Sequence, residues 1–383
     1  MTILKRIVDV PNPDPFTVGA GNQFATVADA MREASLQAYV GHVEQQIVLP
    51  VGDYEMTKED AESVPYDKGG YIHVKGTRIQ PNPNFYQIPR FLRKSDGNFV
   101  DESIAPEKVL AGQAWCKSEL ENGKGTVVRV TSNNGLFRLA GDLGSFSEFS
   151  AVNETTIKSL AAVKFTQNGR RGVSKGSTYF DDIWGHGFGV FGSTDAGGGF
   201  EWGQKNFFSA CDKVFQGQYS WNQLYSDNVD DNIFNIAAYC GTFMNAKGGG
   251  NSIYMPKTHT IGCYDHPVWM NGVSYANVTG SHFRDNLKNC YFEGLNHLES
   301  KRVRYAGTLD NACVLIRDCS GPLDFDDAMV YGSTKKSDID IYGKGYVDGV
   351  IGPTPEIGSA VVPPMTRIRL LRSRPELGHS QIL

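Results

Sequence analysis

Six short segments in the second half of the chain share one layout, an apolar or aromatic strand-like run that closes on Gly, Asn or Asp. They are GVFGS, KVFQG, GTFMN, PVWMNG, NCYFEG and ACVLIRD, anchored at Phe191, Phe215, Phe243, Trp269, Tyr291 and Val314, and successive anchors stand 24, 28, 26, 22 and 23 residues apart. Recurrence on this scale is the signature of a solenoid. Each unit carries apolar side chains that it cannot bury alone. Stacking buries them, pairs every strand with the turns above and below, and leaves open edges only at the two ends. The anchors are therefore expected in register on one sheet.

Cysteines keep the same rhythm. Cys240, Cys263, Cys290 and Cys313 are separated by 23, 27 and 23 residues, which predicts one inward ladder of small, soft side chains. Chance spacing is the alternative. No CxxC pair is present, and ligands stacked about 4.8 Å apart on one ladder do not converge tetrahedrally on a zinc, so no metal is expected at the cysteines. Seven cysteines, an odd number, also fit no disulfide framework.

Nearer the start, Thr26 and Asp29 have capping-box spacing, and Val27, Ala30, Met31 and Ala34 follow at helical intervals, predicting one amphipathic helix over about 26–38. The period then changes to short β-branched runs, at 47–55, 70–77, 126–141 and 163–169. No second helix alternates with them, which disfavours a doubly wound sheet. Between the second and third runs, residues 81–125 open with PNPNFYQIPR, whose prolines exclude a central strand. This stretch reads as a loop or small subdomain leaving the main body. At 383 residues a chain ordinarily divides into several domains, but a repeat architecture relaxes that prior.

A formal net charge of -5 without long runs of one sign gives no field for nucleic acid or an anionic membrane. No stretch approaches a membrane span, and Pro11, Asn12 and Pro13 interrupt anything resembling a secretory signal. Synthesis in a cytoplasm without a signal peptide is the expectation.

SYANVTGSHFRDNLKNCYFEG (274–294), TIGCYDHPVWMNG (260–272) and FDDIWGHGFGVFG (180–192) resemble turns of the pectin-lyase-like superfamily of parallel β-helices. The opening FTVGAGNQFATVADAM (16–31), followed by IVLPVGDYE, resembles the start of bacteriophage tailspikes and related virion proteins on that scaffold. The resemblance spans about residues 16–350 as architecture. It implies a fold and leaves the activity open, because the scaffold hosts lyases, hydrolases, esterases and attachment proteins. What it implies for this chain is an all-β, right-handed, single-stranded parallel β-helix with an N-terminal capping helix and an extended C-terminal tail. Residues 1–40 form an arm and cap, 41–350 the solenoid with the excursion at 81–125, and 351–383 the tail.

Polysaccharide chemistry on such a scaffold needs either two carboxylates flanking a glycosidic bond or a base and cation set for elimination. WGHGFG, preceded by Asp181 and Asp182, partly resembles the Gly-His-Gly element of polygalacturonases, making Asp182 and His186 candidates. The later Arg-x-Lys element of that family is missing, and a tight turn between glycines is the commoner role for a residue placed as His186 is. Asp227, Asp230 and Asp231 form the densest carboxylate cluster, or a solvated turn. His259, Tyr264, Asp265 and His266, with Arg284 one coil on, are a third set for elimination chemistry. Trp184, Trp202, Tyr219, Trp221 and Tyr225 either line a sugar-binding groove or belong to the core.

In the tail, Arg367, Ile368, Arg369 and Leu370 alternate as a strand does, while nearby prolines deny it a sheet of its own, so it is expected to pair with neighbouring chains. The combined expectation is a homotrimeric tailspike or tail-fibre-type virion protein contacting host surface polysaccharide and other tail proteins. It has no cofactor and is released by lysis. A polysaccharide lyase or hydrolase is the alternative, and a purely structural virion decoration the second.

Overall fold

In a computed structural model, the described residues are 13–41, 44–57, 72–123, 125–131, 137–139, 144–155, 161–165, 177–196, 199–220, 223–226, 228, 233–248, 252–310, 313–320, 322–325, 328–333, 339–342, 346–348 and 351–352. They form three all-parallel sheets of 12, 11 and 9 strands, and each sheet takes about every third strand of the chain. One coil thus gives one strand to each sheet. The chain is a parallel β-helix. For example, Tyr275–Asn277 in the first sheet, His282–Asn286 in the second and Cys290–Glu293 in the third make one turn, and the next turn begins at His297–Glu299. The tail strand expected at 367–370 lies outside the described residues.

Helix α1 (Val27–Gly41) closes the first coil. Thr26 caps it, its Oγ1 accepting from the Asp29 amide at 3.1 Å and donating to the Asp29 carboxylate at 2.8 Å. Val27, Ala30, Met31 and Ala34 are buried on the core with Phe16, Ile47 and Val74, so the apolar stripe covers an end that would otherwise expose the first coil's interior to water.

All six anchors fall on consecutive strands of the third sheet, but not as one ladder. The inward column passes through Phe215, Met244, Val268, Cys290 and Val314. Phe191 and Phe243 are buried one position away, whereas Trp269 and Tyr291 face each other half-exposed on the outside. The spacing follows the largest ring in each run, and a slip of one residue in a strand moves a side chain to the other face.

The four-cysteine ladder is likewise only half present. Cys240 and Cys263 stack at the corner after the second sheet, in a column that continues through Cys211 below and Asn286 above. Cys290 opens a strand of the third sheet, where it pairs with Val314, while Cys313 lies just before that next strand and its carbonyl accepts from the Cys290 amide at 3.0 Å. Coils differ in length at their loops, so equal spacing in sequence does not give equal position on the coil.

The excursion contains an element that its prolines and glycines conceal. Helix α2 (Ala105–Asn122) turns Ala105, Val109, Gly112, Cys116 and Leu120 inward, at intervals of three or four residues. It packs on the outer face of the second sheet and forms a second core with Trp184, Phe207, Ile236 and Ile261.

Candidate functional site

The corner between the second and third sheets is a column of left-handed residues. Gly187, Ala210, Tyr239, Gly262, Asp285 and Gly307 have φ of 80°, 55°, 54°, 68°, 51° and 96°. Glycine adopts this conformation without strain, while Tyr239 and Asp285 hold it at a cost that their packing must offset. Both are docking points for the excursion. Asp285, 1% exposed, accepts from Arg90 Nε at 2.6 Å and from Arg93 Nε at 2.8 Å. The Tyr239 hydroxyl donates to the Pro89 carbonyl and accepts from the Phe91 amide, and Gln113 of α2 donates to the Tyr239 carbonyl at 2.9 Å.

Beside these ties Phe85 enters the outer face of the second sheet, 4.3 Å from the His259 ring and 4.9 Å from that of His282, with the Arg284 guanidinium over it at 3.9 Å. His259 Nδ1, His282 Nε2 and Arg284 Nε have no hydrogen-bond partner among the described residues. Burial, and then the neighbouring cations, hold both imidazoles below their ordinary range, His282 at about 3. Neutral rings under an apolar plug suit a docking surface better than a proton-transfer centre.

The sequence candidates separate. Asp182 is tied to the excursion, its carboxylate 3.6 Å from Arg78 Nε and accepting from Asn82 Nδ2 at 3.1 Å. Burial raises its pKa, with Arg78 acting in the opposite direction. His186 is buried on the α2 side of the second sheet, its Nδ1 2.9 Å from Ser209 Oγ, which also accepts from Trp184 Nε1 at 2.9 Å. The elimination set does not converge either. His259 lies under Phe85, Tyr264 donates to Asp212 at 2.5 Å, Asp265 pairs with Lys288 at 2.8 Å, and His266 Nδ1 donates to the Asn289 carbonyl at 2.8 Å. Trp202 is fully buried, stacked on Phe215 at 4.6 Å, and Trp184 packs on Phe207 at 4.6 Å, so neither offers a ring to a groove. Asp227, Asp230, Asp231 and Trp221 lie outside the described residues, as does the side chain of Tyr219. Among the described residues no three His, Cys, Asp or Glu side chains converge on a metal position.

Tyr225 is different. Its half-exposed ring begins an outward stripe on the first sheet, Tyr225, Tyr254, Tyr275 and His297, with successive centroids 5.4, 5.1 and 5.1 Å apart. Around the next corner, on the third sheet, Trp269 and Tyr291 stack at 6.4 Å with planes 28° apart, and Arg317 lies 5.7 Å over Tyr291.

The two faces repeat one pattern. Trp269 and Asn271 leave the third sheet, the chain turns at Gly272, and Tyr275 and Asn277 leave the first; one coil on, the corresponding residues are Tyr291, Glu293, Gly294, His297 and Glu299. Asn271 Nδ2 donates to Glu293 at 2.7 Å, and Asn277 Nδ2 donates to Glu299 at 2.7 Å. Tyr291 also donates to Glu293 and Tyr275 to Glu299. Each of these two coils therefore presents a ring, a fixed polar group, a corner, a second ring and a second polar group. Burial opposes ionisation of Glu299, but Lys301 and Tyr275 outweigh it and hold the carboxyl below its usual range. Lys301 bridges Glu299 at 2.7 Å and Asp324 at 3.1 Å. Half-exposed rings beside oriented acceptors and amides are the groups that stack on sugar faces and bond sugar hydroxyls.

Of these outward rings, only Tyr225 stands among the residues expected to meet a ligand. The matching signal is the shared offset of 22 residues from Asn271 to Glu293 and from Asn277 to Glu299.

No family model matches the sequence, and no curated protein does. Among solved structures, the chain is similar to the A-module of a mannuronan C-5 epimerase from Azotobacter vinelandii, with 12% identity, a TM-score of 0.37, and coverage of 92% of this chain and 96% of that one. The three parallel sheets of the chain itself establish its fold.

Proposed function

We propose that this protein binds polysaccharide along the outer faces of its first and third sheets, and that it does so as a tailspike or tail-fibre-type virion protein of a tailed bacteriophage. The observation that carries the binding reading is the repeated outward grid from Trp269 to Glu299, in which aromatic faces alternate with carboxylates and amides fixed by their own hydrogen bonds. The fixed geometry lowers the entropy lost when a ligand docks. The virion assignment is supported by the resemblance of residues 16–31 to tailspike openings, and it includes a homotrimer and contacts with other tail proteins.

Cleavage has less support. The two-carboxylate route needs one carboxyl protonated to act as acid. Glu299 and Asp324 occupy paired positions on adjacent strands, but Lys301 bridges both and Glu299 is held below its usual range. That arrangement favours holding a ligand over cutting it.

The test is binding of the purified protein to host capsule and lipopolysaccharide fractions. Trp269→Ala and Tyr291→Ala are each expected to weaken binding by about tenfold, corresponding to roughly 1.4 kcal/mol for a lost stacking surface, without loss of fold. No binding to any fraction, or unchanged affinity in both variants, overturns the site. Failure of the protein to block phage adsorption returns it to a structural decoration, and monomers in light scattering count against the trimer. Release of reducing ends or unsaturated uronates from capsule favours the enzyme.

A further inference from the structure

The excursion does more than cover the second sheet, because its outer surface is hollow. Between its loops and the first turns of α2 lies an open cleft of about 460 Å³. Four cations line it, Arg90, Arg93, Lys94 and Lys108, together with apolar walls that include Phe91 and Ile104. The carboxylate nearest the two arginines, Asp285, sits beneath them and is taken up in docking the excursion. The acids at the rim are loosely held, Asp101 at 3.5 Å from Lys94 and Glu107 at 3.8 Å from Lys108, both largely in water. Arg90 and Lys94 keep close to half of their side-chain surface exposed, and Lys108 about a third. The cleft therefore sets positive groups beside apolar walls.

An inorganic anion would use the cations and leave the apolar walls unmatched. A neutral sugar would use the walls and leave the cations unmatched. From this combination we infer that the cleft is a second binding site, separate from the outward aromatic faces, for a sugar unit bearing a carboxylate: the acid meets the Lys94 and Lys108 side, and the ring packs against Phe91 and Ile104. Charge-assisted contacts of this type are strong enough to give selectivity for the acidic sugar. The inference rests on the polysaccharide reading only for the class of ligand. Its geometry is independent of Trp269 and Tyr291.

The experiment is calorimetric titration of the full chain with glucuronate, glucose and inorganic phosphate. Glucuronate is expected to bind at least about tenfold more tightly than either of the others, and the double variant Lys94→Glu, Lys108→Glu is expected to lose about tenfold or more of that affinity. Neither lysine contributes to the Asp285 dock, so the variant should fold as the parent does, checked by circular dichroism. Trp269→Ala is expected to leave glucuronate binding unchanged. Equal binding of glucose, phosphate binding as tight as glucuronate, or a double variant with parental affinity overturns the site. Because the aromatic faces are tested by Trp269→Ala on polysaccharide and this cleft by the lysine variant on glucuronate, either reading can fail while the other stands.

Discussion

The second sheet and the other two carry the same backbone ladder and treat their outer faces in opposite ways. On the second sheet the outward column of Trp184, Phe207, Ile236, His259 and His282 lies under Phe85 and α2, and two of its imidazole nitrogens, His259 Nδ1 and His282 Nε2, lack partners among the described residues. On the first and third sheets the outward positions hold half-exposed rings and polar groups bonded to one another. A solenoid repeats its interior, and function is free to differ on each outer face. The dressed face is spent on holding an added element, and the open faces are available to a ligand.

If that contrast is right, changes under the excursion act on stability and changes on the open faces act on binding. The largest effect is expected at Asp285. Asp285→Ala leaves Arg90, Arg93 and Arg284 without their shared carboxylate. Arg90 is close to half exposed and can turn to water, but Arg93 and Arg284 are largely buried, and stranding buried charges costs about 3–5 kcal/mol. Chemical denaturation should read it as a lower midpoint. A loss below about 1 kcal/mol, the range of an exposed pair, would mean that the excursion is not anchored there.

Gly112→Ala comes next. A Cβ at that position would lie 2.4 Å from the ring of Tyr239, which Gly262 contacts from another side. The ring is fully buried and hydrogen-bonded through its hydroxyl, so α2 must lift or the ring must turn. Overpacking of this kind costs about 1–3 kcal/mol. In an exposed helix the same change would stabilise, by roughly 1 kcal/mol, so the sign of the change in melting temperature decides whether α2 is seated on Tyr239.

The dressed face should also be acid-sensitive. His282 is depressed from 6.5 to about 3 in the folded protein, first by burial and then by Arg284 and Arg304. Between those values the unfolded chain binds the proton and the folded chain does not, so this contribution is full above about pH 6.5 and is lost as pH falls toward about 3. His259, also depressed, acts in the same direction. By pH 5 the loss from His282 alone is about 2 kcal/mol. His282→Phe should flatten the stability profile between pH 5 and 6.5; an unchanged slope would show that the ring is not held neutral.

The solenoid was legible because burial repeats once per coil, and the sequence shows that directly in the spacing of its apolar runs. The position of each ring was less so. Trp269 and Tyr291 stand in the same kind of run as Phe215, and only their parity along the strand sends them outward. Helix α2 was hidden because its inward stripe contains Ala105, Gly112 and Cys116, small residues with little apolar contrast. The Asp285 dock was hidden for another reason: Arg90 lies 195 residues from its partner, and a pair of charges carries no periodicity. What a local pattern records is burial. Long-range ties between single residues leave no such record.

The smallest expected effect tests the open faces by the same logic. Asn277→Ala removes an amide that donates to Glu299 at 2.7 Å, and Asn271→Ala removes its counterpart on Glu293. Bonds to a carboxylate are ordinarily worth about 1.5–3 kcal/mol. Here both glutamates are half-exposed, water can replace the amide, and each retains a tyrosine hydroxyl. The cost to stability should therefore be no more than about 1 kcal/mol in either variant. Because the two amides belong to different sheets and share no partner, the effects should add within about 0.5 kcal/mol. The larger consequence should appear in polysaccharide affinity, since a freed carboxylate must be ordered again by the ligand. A double variant destabilised as severely as Asp285→Ala would show that the open faces hold the solenoid together as the dressed one does, and the division between them would fail.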